Sequence, residues 1–237
     1  MVSTMGIDPQ DEDLLLRTAL FRKVPVDDTR QLLPHLRRRV YAKEGYIFRQ
    51  GDTDQDMSII ASGRVKLARE SAGRVKLLSI HGRGEIIGEI PVFDPKGGPR
   101  TANAVAMTPN TIILTLSHNA LYEWLDVHPE VAVNMLQVLA RRMRKNNERI
   151  SDLVFMDVPG RLAKTLIDLA VRFGEPVEQG LVVPHDLTQE ELAQLVGATR
   201  ETVNKALMDF TNRGWLARSG RTIIIYQPGR LIRRSQQ

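Results

Sequence analysis

Hydrophobic and polar positions along this 237-residue chain change their period twice, and each change marks a different kind of element. A short helix is expected over residues 14–24. From about 38 to 116 the apolar residues come in short β-prone runs punctuated by glycine: VYAKEGYIFRQGD, MSIIASGRVKLA, GRVKLLSIHGRGEIIG and TANAVAMTPNTIILTLS. Runs of this length with turn residues at near-regular spacing predict an antiparallel sandwich or small barrel rather than βαβ units. From Ser117 glycine disappears and the period becomes helical, with Ser117 as an N-cap and Pro129 as a break between a short helix and a long one. Past Asp157, VPGRLAKTLIDLAVRFG reads as another helix, and a polar turn, EPVEQG, leads to a helix, a turn, a helix and a two-stranded finish with Ser219 and Gly220 at its tip. The fold class is therefore α+β: an N-terminal β-barrel (1–118), a long helix (119–157) and a C-terminal winged helix-turn-helix (158–237).

The long helix carries a further regularity. Leu136, Leu139, Met143, Ile150 and Leu153 follow alternating steps of three and four if Asn146 fills the single gap, which is the seam of a coiled coil. Such a stripe either meets a partner helix, making a homodimer through residues 130–155, or packs on the chain's own core.

The stretch 189–207 places small and apolar residues where two helices must cross. Ala193 permits their approach and Gly197 the turn, while Leu192, Val196, Val203 and Leu207 supply a shared core. A helix-turn-helix needs this layout so that its second helix is held while its outer face enters the major groove of double-stranded DNA. Thr199 caps that helix, and its exposed face is expected to offer Arg200, Glu201, Asn204 and Lys205. Arginine suits the O6 and N7 atoms of guanine, glutamate the N4 of cytosine, and lysine either guanine or phosphate. Thr188 and Arg221 are expected at phosphates, where they would fix register without reading sequence.

Composition narrows the possibilities. There is no cysteine, which removes disulfides, thiolate metal sites and cysteine nucleophiles and fits a reducing compartment. No basic leader precedes a long apolar core and no run approaches the roughly 18 apolar residues of a membrane span, so a cytoplasmic chain with no membrane partner is expected. The net charge of +5 permits a polyanion partner without the field of a non-specific nucleic-acid coat. No nucleophile with an adjacent base, paired carboxylates or triphosphate loop is legible, so the chain is not read as an enzyme. The histidines His35, His81, His118, His128 and His185 show no ligand spacing, and each is expected at the surface or in a turn; no metal is expected.

The stretch LTQEELAQLVGATRETVNKAL, followed by a wing ending GRTIIIY, resembles the DNA-binding domain of the cyclic-AMP receptor protein and FNR family of bacterial transcription regulators. The likeness extends to GYIFRQGD…MSIIASGRVKL, to GEI…PRTA and to SDLVFMDVPGRLAKTL, and so spans nearly the whole chain. It implies an effector-binding barrel, a dimerisation helix and a winged helix-turn-helix in that order, a pseudo-palindromic operator, and RNA polymerase as a further candidate partner. Arg200, Glu201 and Lys205 fall at the family's base-reading positions. The family's catabolite activator is a well-known instance of this motif and bends its DNA, so operator bending is implied by analogy.

The same resemblance interprets the loop GEIPVFDPKGGPRTA, residues 88–102, whose Glu89 and Arg100 could otherwise simply pair with each other. A cyclic nucleotide presents an anionic phosphodiester and a ribose hydroxyl, and its site needs a bidentate cation and an acceptor. Gly88, Glu89 and Ile90 would open the phosphate-binding cassette and Arg100, Thr101 and Ala102 close it. Glu89 would accept the ribose hydroxyl, Arg100 would pair with the phosphate, and Thr101 would add its hydroxyl and amide. Asn146 and Asn147 would contact the base, although a seam asparagine can also set register alone. Cyclic AMP is the implied allosteric effector. Pro91, the long loop DPKGGP with Lys96, and Asn146 in place of threonine depart from the family pattern and leave cyclic GMP, another anionic effector or a ligand-independent regulator open. An iron–sulfur cluster is excluded by the absence of cysteine, and a regulatory subunit of another protein would leave the helix-turn-helix unexplained.

Overall fold

The computed structural model describes residues 3–5 and 8–236. The chain divides into two compact units, Met1–Arg144 and Lys145–Gln237, and the division falls inside one helix.

The first unit contains β1 (Ser3–Met5), α1 (Pro9–Arg17), α2 (Val26–Gln31), β2 (Leu36–Tyr41), β3 (Tyr46–Phe48), β4 (Met57–Ser62), β5 (Val65–Ser71), β6 (Arg74–His81), β7 (Ile86–Ile87), α3 (Glu89–Phe93), β8 (Asn103–Ala106), β9 (Thr111–Leu116), α4 (His118–Val127) and the start of α5 (Pro129–Phe155). Its strands form two antiparallel sheets, ordered β1-β2-β9-β4-β7 and β3-β8-β5-β6. The first of these is sandwiched. Ile60, Ile87 and Ile113 face inward with Phe48, Val65, Ala104 and Ala106 of the second sheet. From the opposite face of β4 and β9, Met57, Ile59, Leu114 and Leu116 pack on Leu15, Leu20, Phe21, Leu121, Val131 and Met135. Burial on both faces explains why β4 is buried continuously from Met57 to Ala61 rather than in alternation, with the Ser58 hydroxyl meeting that of Thr115 (3.3 Å).

The N-terminal helix begins earlier than expected, at Pro9, and ends at Arg17 rather than reaching residue 24. Asp8 accepts from the Gln10 amide and shares a reciprocal capping box with Asp11, an aspartate doing what glutamate or glutamine usually does. At its other end Thr18 takes extended backbone angles, and a 3-10 turn, Ala19–Phe21, follows. That turn is tied to α5. Asn134 is buried, and its Nδ2 donates to the carbonyls of Leu20 (3.0 Å) and Arg22 (2.6 Å). Asn134→Ala should therefore destabilise this unit by about 2 kcal/mol, because two carbonyls lose their donor. The urea midpoint measures it, and an unchanged midpoint would show that water replaces the amide.

The second unit continues α5 with α6 (Val158–Phe173), β10 (Glu175–Val177), β11 (Gly180–Pro184), α7 (Gln189–Val196), α8 (Arg200–Asn212), β12 (Leu216–Ser219), β13 (Thr222–Ile225) and α9 (Pro228–Arg234). The segment EPVEQG is more than a turn. It supplies β10 and the first residue of β11, giving a four-stranded sheet ordered β10-β11-β13-β12, with Pro176 tolerated because β10 is an edge. Leu162, Leu166 and Leu169 of α6 are buried in this unit, as are Val203, Leu207 and Phe210 of α8. Asp157 caps α6 by accepting from the Gly160 amide and also pairs with Arg234 of α9. The arginine, then the cap amide, hold its carboxyl below the ordinary carboxylate range despite the opposing effect of desolvation. This contribution to stability is present above the unfolded aspartate's pKa and disappears as pH falls through the lower, folded value. Arg161 joins three places at once, donating to the carbonyls of Met156 (2.6 Å), Val196 (2.9 Å) and Gly197 (3.2 Å).

Candidate functional site

In the first unit β7 is followed by Gly88, whose φ of +79° turns the chain into α3. A Cβ there would lie 2.4 Å from Arg100 Nη1 and 3.2 Å from the Asp56 carbonyl, so glycine is what lets the guanidinium lie against the backbone. Arg100 is only 2% exposed. Its Nη1 donates to the Gly88 carbonyl (2.7 Å), Nη2 to the Asp56 carbonyl (2.6 Å), and Nε to Asp54 Oδ2 (3.2 Å), while Nη2 also donates to Asp54 Oδ1. The ring of Phe48 lies under the guanidinium, 4.3 Å from centroid to Cζ.

Glu89 is buried too, but it does not pair with Arg100. Its Oε1 accepts from Arg142 Nη1 of α5 (2.6 Å), and Arg142 Nη2 donates to the Ile86 carbonyl. The simple ion pair closing the loop is therefore absent: each charge has a different partner. Thr101 and Ile90 are exposed, and Ala102 is buried at the entry to β8. Lys96 is exposed in a turn made by the Asp94 side chain and carbonyl, and the Gly97 backbone lies close against Gln55.

In the second unit α7 starts with Thr188 as N-cap, its hydroxyl accepting from the Glu191 amide while Glu191 accepts from the Thr188 amide. Gly197 takes a left-handed conformation at the turn, and Thr199 caps α8. Leu192, Ala193, Val196, Val203 and Leu207 are all buried between these helices. Arg200, Glu201 and Lys205 are exposed along α8. Asn204 departs from the expectation of a free outward residue. It is half-buried, its Nδ2 donates to Gln189 Oε1 (3.0 Å), and its Oδ1 is buried with no donor among the described residues. The same Gln189 oxygen accepts from Arg200 Nε (3.2 Å). One glutamine at the start of α7 thus orients two side chains of α8. Arg221, at the tip between β12 and β13, donates to the Asp186 carbonyl (3.4 Å).

Along α5, Leu136, Met143 and Ile150 are 66%, 65% and 61% exposed, whereas Leu139 is half-buried and packs on the first unit's core. Asn146 and Asn147 are exposed, and belong to the second unit. Of the five histidines, expected at the surface or in turns, His81 departs by lying buried in β6, whereas His128 and His185 are buried within the connections between α4 and α5 and between β11 and α7. His81 is buried between Glu85 (2.7 Å) and Ser79 (2.9 Å), His128 stacks on Trp124, and His185 accepts from the Leu187 amide (3.0 Å). Among the described residues no group of three or more metal-ligating side chains could hold a metal ion, and no helix is long and apolar enough to cross a membrane.

A family described as "Cyclic nucleotide-binding domain" matches residues 38–128, and one described as "Crp-like helix-turn-helix domain" matches residues 160–234. Over 226 residues the chain is 42% identical to the CRP-like cAMP-activated global transcriptional regulator of Mycobacterium tuberculosis, covering 95% of this chain and 100% of that one. The chain belongs to the CRP/FNR family of bacterial transcription regulators. Solved structures agree in fold. A CooA mutant from Carboxydothermus hydrogenoformans superposes with a TM-score of 0.71 at 27% identity, covering 86% of this chain and 90% of that one. The c-di-GMP responsive global regulator CLP from Xanthomonas campestris does so with 0.72 at 26% identity, covering 85% and 99%.

Within this regulator the first unit brings Gly88, Glu89 and Arg100 together, and the second presents Arg200, Glu201 and Lys205 on one helix. Sequence reasoning missed Asp54, Arg142 and Gln189. The spaced aspartates of GDTDQD beside a buried arginine could have pointed to Asp54. Nothing local pointed to Arg142, one of several basic residues on α5, or to Gln189, an ordinary first-turn residue.

Proposed function

We propose that this regulator binds a cyclic nucleotide, cyclic AMP in preference to cyclic GMP, in the cradle of its first unit, and binds pseudo-palindromic operator DNA as a homodimer through its winged helix-turn-helix. The observation that carries the reading is the buried Arg100 set against Gly88 at one end of the cassette, with buried Glu89 close by on a different cation. Arg100 would take the phosphate and Glu89 the ribose hydroxyl, with Ile90 and Thr101 flanking and Asn146 and Asn147 at the base. The exposed apolar stripe of α5 supports a dimer along residues 130–155. Arg200, Glu201 and Lys205 would read base edges, with Asn204 held beside them, and Thr188 and Arg221 would contact phosphates.

The segments 1–118, 119–157 and 158–237 would then sense, dimerise and bind DNA in the cytoplasm, with RNA polymerase as a further partner and no catalytic step. Effector binding shifts the dimer between two states only through its differential affinity for them, and the favoured state places two α8 helices one helical turn of DNA apart. A second reading, a different anionic effector, is favoured by Pro91, which removes one amide donor from the cassette, and by the c-di-GMP response named for the Xanthomonas relative.

Calorimetric titration with cyclic AMP and cyclic GMP, followed by gel shifts of a palindromic operator with and without the tighter ligand, tests the proposal. Saturable cyclic AMP binding that strengthens a salt-dependent shift is expected. Binding of neither nucleotide, with an undiminished operator shift, would favour the second reading.

A further inference from the structure

The loop between β3 and β4 brings a carboxylate to the place where a phosphate would dock. Asp54 engages Arg100 with both oxygens, on the edge formed by Nε and Nη2. That fork is the geometry by which arginine receives a phosphate. Nη1 and Nη2 each donate in addition to a main-chain carbonyl, of Gly88 and Asp56. Of the five N–H groups of a guanidinium, four are thus matched to described acceptors. Two phosphate oxygens cannot take the Nε–Nη2 edge while Asp54 holds it.

The surroundings make Asp54 the component that can leave. Arg100 is buried, whereas the Asp54 side chain is 46% exposed, so water can receive the released carboxylate. The loop around it is anchored independently. The Gly51 amide donates to the Arg100 carbonyl (2.9 Å), the Arg100 amide to the Asp52 carbonyl (2.7 Å), the Arg49 amide to Asp52 Oδ2 (2.7 Å), and Arg37 pairs with Asp56.

We propose that Asp54 is a resident anion of the effector site: effector binding exchanges the Asp54 carboxylate for the effector's phosphate on Arg100, and Asp54 sets the concentration at which the regulator responds. The inference rests on the cyclic-nucleotide reading of this cradle. It follows that Asp54 stabilises the ligand-free protein and opposes binding through the same ion pair.

The test titrates cyclic AMP calorimetrically into the full-length wild type, Asp54→Asn and Asp56→Asn. Asp54→Asn should bind about tenfold more tightly, from loss of one competing charge-assisted contact. Asp56→Asn should change affinity by less than about threefold, since its carboxylate pairs with Arg37 and acts on the ligand only through the field. The ligand-free melting temperature of Asp54→Asn should be below that of the wild type, with the difference vanishing at saturating cyclic AMP. Asp54→Ser serves as a second neutral variant should the asparagine fail to fold. Equal or weaker binding by the neutral Asp54 variants, or equal tightening in Asp56→Asn, overturns the exchange and leaves the nucleotide site standing. No binding by the wild type or any variant overturns the nucleotide reading and the exchange together.

Discussion

Arg100→Leu lowers affinity for cyclic AMP by at least about a hundredfold, and with it the effector's influence on operator binding. The expected loss combines two terms. The charge-assisted contact to the phosphodiester disappears, and truncating one side of a buried charged pair costs about 3 kcal/mol or more, or a hundredfold in affinity. Asp54 would then stand in the cradle without its cation, adding a negative charge where the ligand brings another. Calorimetry reads the first effect, and gel shifts at fixed salt with and without cyclic AMP read the second. If nucleotide binding is lost but operator affinity still responds to cyclic AMP as in the wild type, the cradle is not the regulatory site.

Arg200→Ala weakens operator binding by about ten- to a hundredfold and relaxes discrimination at a single base pair of each half-site. A bidentate arginine–guanine contact carries about 1–3 kcal/mol of discrimination. Arg200 is exposed on the first turn of α8, and its Nε is held by Gln189, so its aim is set before DNA arrives. Its loss should leave the salt dependence nearly unchanged. Arg221→Ala, at the wing tip, should instead weaken all sequences alike and reduce the salt slope by about one. Competition gel shifts with operators substituted one base pair at a time separate the two patterns. Unchanged specificity in Arg200→Ala would place base reading elsewhere.

Order and type of element are legible in the sequence wherever one short-range rule dominates. Ser117 accepts from the Ala120 amide and starts α4, Pro129 opens α5, and Gly197 and Thr199 turn and cap the helix-turn-helix. Legibility fails where a partner distant in sequence decides. Glu89 and Arg100 look like a natural pair because they bound one loop, yet Asp54 comes from 46 residues before Arg100 and Arg142 from 53 residues after Glu89. Asn204 has the right spacing for an exposed face, but Gln189 on the neighbouring helix draws its amide inward. His81 lies inside a strand, rather than at the surface or in a turn, because burial depends on what the fold lays over it. The EPVEQG segment has the polar composition of a turn, whereas the free edge of β11 recruits it as a strand.

The three hydrogen bonds of Arg161 tie the end of α5 to the helix-turn-helix within the second unit. One guanidinium clasps the carbonyl that follows the end of α5 and the two carbonyls at the turn between α7 and α8. Leu153 of α5 presses on that turn as well: a Cβ on Gly197 would sit 2.5 Å from its Cδ2. The last turns of α5 and the two helices of the helix-turn-helix are therefore joined as shaft and blade of one key. In the proposed dimer along α5, a twist of the shaft would be carried to the blade through these contacts. Under the proposed reading, the spacing of half-sites would then be set by the seam of the long helix and not by the residues that touch the bases.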